Sequence, residues 1–496
     1  MNKTLFCANT AALLFTACVA GAAGAPGLDG SSIYPDPSGA LQTINANGPT
    51  NTEGAFFQSL GTNGRSCSTC HVADQAMSMA PPQIRARFEQ THGSDPLFAA
   101  FDGANCPNGN TADAAAHSLL LSHGLIRIPL TVPANAQFTV TVVHDPYGCA
   151  LVAGPSGLTL STYRRPLPTT NLRFLSTIMF DGRESPASSP LNSIATFKVN
   201  LNNDLTQQAT DATLGHAQAL VAPTSEQLAD IVNFEMGLST AQVYDGAAGD
   251  LHAGGALGGA RNLVLENYYP GINDVLGADP TGLAFDSSSM TLFTAWENGG
   301  SPEDYVREGY ERREARSDIA AGEVLFNTVP LTISAVRGLN DNAALGNPVS
   351  FKGTCTTCHD TPNIGDHSLP LPLDIGTGHT LSPGLETDPV ILRAIAELNE
   401  PDLPVFLVSG CKTPFSAAQP VSFYTTDLGK GMITGLCSDV NRIKGPILRG
   451  LAGRAPYFHN GAAATLLQAV NFYNQRFSMN LTEEQKRQLV AFLNSL

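Results

Sequence analysis

Two stretches of the chain show the apolar spacing of three to four residues that is typical of an amphipathic helix. Each begins with a threonine, has a glutamine three residues later, and continues with valine and phenylalanine at matching offsets. The two sets are Thr224, Gln227, Val232 and Phe234, and Thr482, Gln485, Val490 and Phe492. Both openings are capping boxes, in which the threonine and glutamine side chains satisfy exposed backbone amides. The pattern predicts two copies of one helical unit.

A different pattern, strict alternation of apolar and polar positions, occurs over residues 125–132 and 138–143, with Pro133-Ala134-Asn135 between them. Alternation of this kind predicts two strands, and the short separation predicts a β-hairpin. Residues 239–310 are rich in Gly, Asp and Pro and show little periodicity, so they are interpreted as long loops and the link to a second domain. Trp296 lies in this stretch and is interpreted as a packing residue.

The N-terminal residues have the pattern of a secretory signal. Lys3 precedes a short apolar run over residues 11–20, and small residues follow up to Gly24. The pattern predicts a signal peptide over residues 1–24. A buried N-terminal helix and lipoprotein cleavage at Cys18 are the alternatives. Because no later stretch is apolar enough for a transmembrane helix, the sequence predicts a periplasmic protein, soluble or tethered by lipid.

Composition narrows the class of protein. The 496 residues carry a formal net charge of -16, which argues against nucleic acid as a partner. The charge fits small molecules or basic partner proteins. With 47 Gly and 33 Pro, the chain is expected to form long ordered loops around compact helical cores.

Two segments read C-x-x-C-H, namely Cys67-Ser-Thr-Cys70-His71 and Cys355-Thr-Thr-Cys358-His359. This spacing lets two thiols add to the two vinyl groups of one haem, while the histidine reaches the iron as its proximal ligand. A redox dithiol and a zinc site are the alternatives. Neither requires a histidine directly after each pair, so the sequence predicts two covalently bound haem c groups.

The surroundings of the two haem motifs are also alike. Gly54 and Phe57 precede the first motif, and Gly322 and Phe326 precede the second, as expected for a helix that packs against a C-terminal helix. The predicted fold class is mainly α: two tandem cytochrome c-like domains with long loops and a small β-hairpin insertion in the N-terminal half. The predicted domains are residues 25–312 and 313–496.

The other four cysteines of the mature chain are expected to form disulfides, since export places them in an oxidising compartment. The predicted pairs are Cys106–Cys149 and Cys411–Cys437. Free buried thiols are the alternative.

The C-terminal part resembles a known superfamily. The segments that carry the resemblance are GPILRGL at 445–451, APYFHNG at 455–461 and ATL at 464–466, together with PTTN at 168–171 and FDGR at 180–183. These segments resemble the di-haem cytochrome c peroxidase and MauG superfamily. The resemblance extends over both haem domains but does not cover residues 72–160 and 239–310.

The resemblance implies roles for the two haems. The haem held by His71 is expected to be the reactive one, and the haem held by His359 to store and relay electrons. The sixth ligand of the relay haem in this superfamily is a Met or a Tyr, and the MauG position corresponds to Tyr473, fourteen residues after His459. A phenolate ligand stabilises ferric iron relative to a thioether. The alternatives are His459 and Met432.

At two positions the sequence departs from the superfamily. Phe180 stands where a Trp lies between the haems, so electron transfer is expected to pass through Phe180 or to take another route. Gln218 stands where a Glu moves protons in the distal pocket. Gln218 is expected to hydrogen-bond bound peroxide or dioxygen, but it is not a proton base. His216 is therefore a second candidate, which would take the proton or ligate the iron.

The resemblance also implies calcium between the domains. The aligned positions hold Arg165 and Arg454, whose charge opposes a cation, so calcium is not expected. Arg164 and Arg165 are instead expected to pair with haem propionates.

Three functions are consistent with these features. The first is a peroxidase-type oxidoreductase that activates hydrogen peroxide at the N-terminal haem and takes electrons from a cytochrome c, a cupredoxin or a partner-protein side chain. The second is an oxygenase that uses dioxygen. The third is a non-enzymatic electron carrier in which both haems are six-coordinate.

Overall fold

The fold is taken from a computed structural model, which describes residues 31–185, 194–297, 309–380, 388–413 and 416–496. The predicted signal peptide and Cys18 lie outside these described residues. Among the helices of the described ranges, none combines the length and the apolar composition that crossing a membrane requires.

The helices are distributed over both halves of the chain. Helices α3 and α4 follow the first C-x-x-C-H segment, and α9 and α10 follow the second. The helices, in chain order, are α1 Pro81–Thr91, α2 Ser118–His123, α3 Ile194–Gly215, α4 Ser225–Gly237, α5 Gly259–Leu263, α6 Tyr310–Thr328, α7 Pro389–Ile395, α8 Gly431–Thr434, α9 Leu466–Arg476 and α10 Glu483–Asn494.

Twelve strands form four sheets in the described part of the chain, with the orders β1-β2-β7-β8, β3-β6-β5, β12-β11-β4 and β10-β9. All the pairings are antiparallel. The strands are β1 Ser31–Asp36, β2 Gly39–Asn45, β3 Ile126–Thr131, β4 Thr139–His144, β5 Leu151–Gly154, β6 Gly157–Arg164, β7 Leu238–Asp245, β8 Gly249–Asp250, β9 Leu331–Ser334, β10 Ser350–Gly353, β11 Val405–Thr413 and β12 Ser416–Thr425.

The predicted fold class, mainly α, is wrong. Helices make up 34% of the structure and strands 18%, arranged in four sheets. The strand content was missed because it depends on pairings between distant segments. Strand β2, for example, pairs with β7, although nearly two hundred residues separate them. Residues 239–310, interpreted as loops, accordingly begin with most of β7 and include α5.

The predicted β-hairpin is also wrong, although both of its strands exist. Strand β3 pairs with β6 in one sheet, and β4 pairs with β11 in another. A turn at Ala134 and Asn135 separates the two strands, and the amide of Gln137 donates to the carbonyl of Gly435 at 2.8 Å. The sheet β12-β11-β4 therefore contains strands from both halves of the chain.

The helical framework around the second motif is as expected. Helix α6 packs on α10 so closely that a Cβ at Gly322 would lie 2.1 Å from the carbonyl oxygen of Gln488. Phe326 and Phe492 pack beside this contact, with ring centroids 5.5 Å apart. Around the first motif, Gly54 precedes only a short 3₁₀ turn. Phe57 packs against Phe234 of α4, with 5.2 Å between the ring centroids.

Other local predictions are confirmed. Capping boxes are present at the starts of α4 and α10, with the residues named above. Both predicted disulfides, Cys106–Cys149 and Cys411–Cys437, are formed. The first joins the segment before α2 to the start of the β5–β6 region, and the second joins β11 to the segment after α8.

Candidate functional site

Two internal cavities lie beside the two C-x-x-C-H segments. The first contains Cys67, Cys70 and His71 in its lining, and the second contains Cys358 and His359. Their volumes are about 1600 and 1770 Å³, including space open to solvent. The similar sizes and positions define two equivalent sites, one in each half of the chain.

The two motifs have the same local structure. Cys67–Thr69 and Cys355–Thr357 each form one turn of 3₁₀ helix. In both, the amide of the residue before the turn donates to the hydroxyl of the threonine that ends it, at 3.0 and 2.9 Å. None of the four motif cysteines, all within the described ranges, is in a disulfide. Their thiols therefore remain available for attachment to a cofactor.

The two motif histidines are held in one tautomer. His71 Nδ1 lies 3.2 Å from the carbonyl oxygen of Met77, and His359 Nδ1 lies 2.7 Å from that of Gly365. A carbonyl oxygen only accepts, so Nδ1 carries the proton and Nε2 has a free lone pair. Burial lowers the pKa of His71 to about 4 and also lowers that of His359, which keeps both rings neutral. Two thiols and a neutral imidazole Nε2 form a donor set that fits haem c.

The first cavity also contains a histidine–carboxylate pair in its lining. His216 Nδ1 lies 2.5 Å from Asp102 Oδ2, and both residues line the cavity. Arg65 donates to the other oxygen of Asp102. Burial alone would raise the pKa of Asp102, but the hydrogen bond from His216 and the charge of Arg65 lower it. The carboxylate therefore stays ionised, accepts from Nδ1, and leaves Nε2 of His216 able to take a proton.

A second acid in this cavity is Glu235 of α4. Its side chain is 3% exposed, and its Oε2 has no hydrogen-bond partner among the described residues. Burial raises the pKa of Glu235 to about 8, so the carboxyl group is protonated at neutral pH. Glu235 therefore adds a buried carboxyl group to the cavity lining, close to Cys67.

Gln218 is not brought to the cavity. It is exposed, has a φ of 53°, and its side-chain oxygen lies 3.4 Å from Asn63 Nδ2. The cavity lining, as far as the chain is described, ends at Ala217 in this segment. Of the two predicted distal residues, the structure places His216 and not Gln218 in the site.

Phe180 lies in the wall that separates the two cavities and lines both of them. The next residue, Asp181, accepts from Arg164, which also binds Asp427 through two nitrogens, at 2.6 and 2.9 Å. Burial would raise the pKa of Asp427, but Arg164 lowers it to about 2. The guanidinium of Arg164 is therefore occupied by two carboxylates. The other residues shared by both linings are Arg165, Pro166, Leu167, Pro168, Lys444 and Pro446.

The second cavity brings Tyr473 and His459 together with His359. Tyr473 stacks on Phe477 with 5.8 Å between ring centroids, and burial raises its pKa. Burial lowers the pKa of His459 to about 4, so its ring is neutral and suited to bind a metal. Met432, the third candidate ligand, instead packs in the core cluster around the Cys411–Cys437 disulfide.

The two arginines expected to oppose calcium are in contact. Arg165 Nη2 donates to the backbone carbonyl of Arg454 at 3.1 Å, and both side chains are buried. Burial lowers the pKa of each, to about 9 and about 10, and the charge of Arg454 lowers that of Arg165 further. Arg165 and Lys444 both line the two cavities, and Nζ of Lys444 lies 3.9 Å from Asp366.

Two residues of the site, Asp102 and Glu235, were not found from the sequence. Glu235 has a recognisable signal, since it lies four residues after Ile231 on the buried face of α4. Asp102 follows Phe101 in a region without any clear period, and its pairing with His216 bridges 114 residues. Only the fold reveals that contact.

A fold with two equivalent thiol–imidazole cavities is consistent with a cytochrome c-type oxidoreductase. No protein-family model matches the chain. Part of the chain is similar to two curated proteins named cytochrome-c peroxidase IdrP2. The protein from Denitromonas iodatirespirans is 32% identical over 152 residues, which cover 29% of this chain and 36% of that protein. The protein from Pseudomonas sp. (strain SCT) is 29% identical over 204 residues, covering 36% of this chain and 50% of that protein.

The matched stretches thus span half or less of each relative's length. At this coverage the similarity supports a peroxidase-like oxidoreductase of the cytochrome-c peroxidase type, a class whose cofactor is haem c.

Proposed function

We propose that this chain is an exported, periplasmic di-haem oxidoreductase of the peroxidase and MauG type that acts on hydrogen peroxide. One haem c is attached at each C-x-x-C-H segment, with His71 and His359 as proximal ligands. The N-terminal site is the reactive one, and the C-terminal site relays electrons to it. The proposal rests on the two matching donor sets, the partial similarity to cytochrome-c peroxidases, and the predicted signal peptide.

The observation that carries the proposal is the His216–Asp102 pair in the cavity of His71. Bound haem would supply the redox chemistry. Peroxide cleavage also requires a proton to leave one oxygen and reach the other. Nε2 of His216 would accept a proton from one oxygen of peroxide and return it to the other oxygen, which departs as water. Asp102 accepts from Nδ1, so it orients the ring and stabilises the imidazolium.

In the second cavity, Tyr473 or His459 would help His359 to hold the haem iron. Phe180 separates the two sites, so electrons that pass between them cross the wall it forms. The electrons come from a small cytochrome c or a cupredoxin, or from a side chain of a partner protein. The net charge of -16 favours a donor with a basic docking face.

The test is steady-state turnover of hydrogen peroxide with reduced cytochrome c as the donor. We expect the wild type to turn over and His216→Gln to lose about 10²–10⁴-fold in kcat, the usual contribution of a positioned proton acceptor. The matched control is His144→Gln, which removes a surface histidine that lies 2.7 Å from Asp402. Absence of turnover in the wild type, or equal rates in wild type and His216→Gln, would contradict the proposal.

A spectrum distinguishes this function from that of an electron carrier. Electron paramagnetic resonance of the ferric protein is expected to show a high-spin signal that disappears when hydrogen peroxide is added. Two low-spin signals that do not respond to peroxide would mean that both irons have two protein ligands, as an electron carrier requires.

A further inference from the structure

A group of three buried side chains lies outside the reactive cavity. Asp274, Asp360 and His367 each offer one ligand atom, and these atoms all lie within 4.8 Å of one another. Their exposed fractions are 0%, 0% and 6%. Within the described ranges, this is the one group of three or more His, Cys, Asp or Glu residues with such spacing.

The two carboxylates are held in the same way. Asp274 Oδ2 accepts from the amide of Ala278 at 2.8 Å, and Asp360 Oδ1 accepts from the amide of Ser368 at 2.7 Å. The other oxygen of each, Asp274 Oδ1 and Asp360 Oδ2, is buried and has no hydrogen-bond donor in the described part of the chain. Unpaired buried carboxylate oxygens are costly, so a charged partner for them is expected.

His367 does not supply that partner through a hydrogen bond. Its Nδ1 lies within ion-pair distance of Asp360 Oδ2, at 2.8 Å, but within the described residues neither ring nitrogen has a partner with hydrogen-bond geometry. Two ligands bonded to one ion at about 2.1 Å each lie about 3 Å apart, whatever the hydrogen-bond angle. The backbone carbonyl of His367 accepts from Ser176 at 2.8 Å, which fixes the position of this residue.

The charges nearby also leave room for a cation. Lys444 is buried, and its Nζ lies 3.9 Å from a third carboxylate, Asp366, which directly precedes His367 in the chain. Lys444 therefore offsets Asp366. Asp274 and Asp360 are left with a single imidazole between them, so a divalent ion would balance the buried charge.

We propose that Asp274, Asp360 and His367 bind a divalent transition-metal ion of the zinc or manganese type. Two carboxylates and one imidazole suit these ions, whereas calcium and magnesium prefer oxygen ligands throughout. None of the three residues lines the reactive cavity, although His367 also lines the second cavity.

The metal would join two separate segments. Asp274 belongs to a loop before α6, whereas Asp360 directly follows the haem-motif residue His359. Backbone contacts already align these segments, since the amide of Gly271 donates to Ser368 O at 2.9 Å and Asn273 Nδ2 donates to Asp360 O at 3.0 Å. The ion is therefore a structural cross-link beside the second cavity.

The test uses the full-length, haem-loaded protein after dialysis against a chelator. Zn²⁺ or Mn²⁺ is added, unbound ion is removed, and the bound metal is measured by mass spectrometry relative to haem iron. The variants are Asp274→Asn and Asp360→Asn. Asp286→Asn is the matched control, because Asp286 lies in the same loop but is exposed and caps Ser288.

We expect one ion per chain in the wild type and in Asp286→Asn, with affinity at least about tenfold lower in the other two variants. Metal addition should also raise the thermal unfolding midpoint of the wild type but not that of Asp274→Asn. Retention of less than one tenth of an ion in the wild type would overturn the proposal. Equal retention of metal in the wild type and in Asp274→Asn would also overturn the proposal. Because the wild-type measurement needs no variant, the test remains decisive even if a variant folds poorly.

Discussion

The ring of Phe180 meets the imidazole of His459 edge to face, with 6.0 Å between the ring centroids and 65° between the planes. This contact lies in the wall between the two cavities, so Phe180 and a candidate ligand of the second site touch directly.

We predict that Phe180→Leu slows electron transfer between the two sites and lowers the free energy of unfolding only modestly. Leucine leaves a gap in the wall, and electron tunnelling through a gap is slower than through packed atoms. The stability cost should be about 1–2 kcal/mol, since an apolar side chain of similar width remains. Stopped-flow oxidation of the reduced protein by peroxide measures the rate. Phe423→Leu, in the β12-β11-β4 sheet, is the control, and equal slowing in both variants would refute a specific role for Phe180.

Acid should destabilise the protein partly through Asp427. Its folded-state pKa of about 2 lies below its ordinary value of 3.8, so its stabilisation is complete above pH 3.8 and is lost as the pH falls towards 2. The size of this contribution is about 2 kcal/mol. Asp427→Asn should flatten the stability curve in this range and cost about 3–5 kcal/mol at pH 7, because Arg164 loses a buried partner. Denaturant unfolding at several pH values checks this. Asp402→Asn, at an exposed site, should change stability by less than about 0.5 kcal/mol.

Glu235 should lower the stability of the protein as the pH rises, whereas Asp427 lowers it as the pH falls. Its folded-state pKa of about 8 lies above its ordinary value of 4.5, so stability is lost as the pH rises from 4.5 to 8. Glu235→Gln should remove this loss and make the protein more stable than the wild type at pH 8, by a few kcal/mol at most. Thermal unfolding from pH 5 to 8 measures the difference. Glu226→Gln, exposed in the same helix, should follow the wild-type curve.

The two disulfides should differ in their effect on activity. Cys106 lies four residues after Asp102, so replacing Cys106 and Cys149 by Ser should loosen the loop that holds His216 and reduce kcat. Replacing Cys411 and Cys437 should leave kcat near the wild-type value. Each double variant should lose about 2–4 kcal/mol of stability. Peroxide assays below the unfolding temperature separate the effects, and an equal loss of kcat in both would contradict the assignment of Asp102.

The local chemistry of this protein could be read from its sequence because it depends on short spacings. The haem-motif turns, the capping boxes and the disulfide pairs all follow from neighbouring residues or from the count of cysteines. The sheets could not be read in this way. Strand β3 has the alternation of a hairpin strand, but nothing within it specifies β6 rather than β4 as the partner. Register and partner are decided by side-chain packing across the fold.

The candidate site shows the same division. His71 and His359 are identified by the residues next to them. The placement of His216 against Asp102, and the exposure of Gln218, depend on how α3 ends and on a loop from a distant part of the chain. The resemblance to the superfamily indicates Gln218 as the distal residue. In the fold, the residue that lines the cavity is His216, two positions earlier in the sequence, which is paired with Asp102.

The pairing of β4 with β11 makes the two halves of this chain complementary fragments. If the backbone were cut near residue 312, each piece would carry an unsatisfied strand edge shaped to fit the other. Such fragments are expected to reassemble when produced together and to aggregate when produced apart. If each half carries the proposed haem, the chain would provide a split reporter whose reconstitution can be followed by its colour.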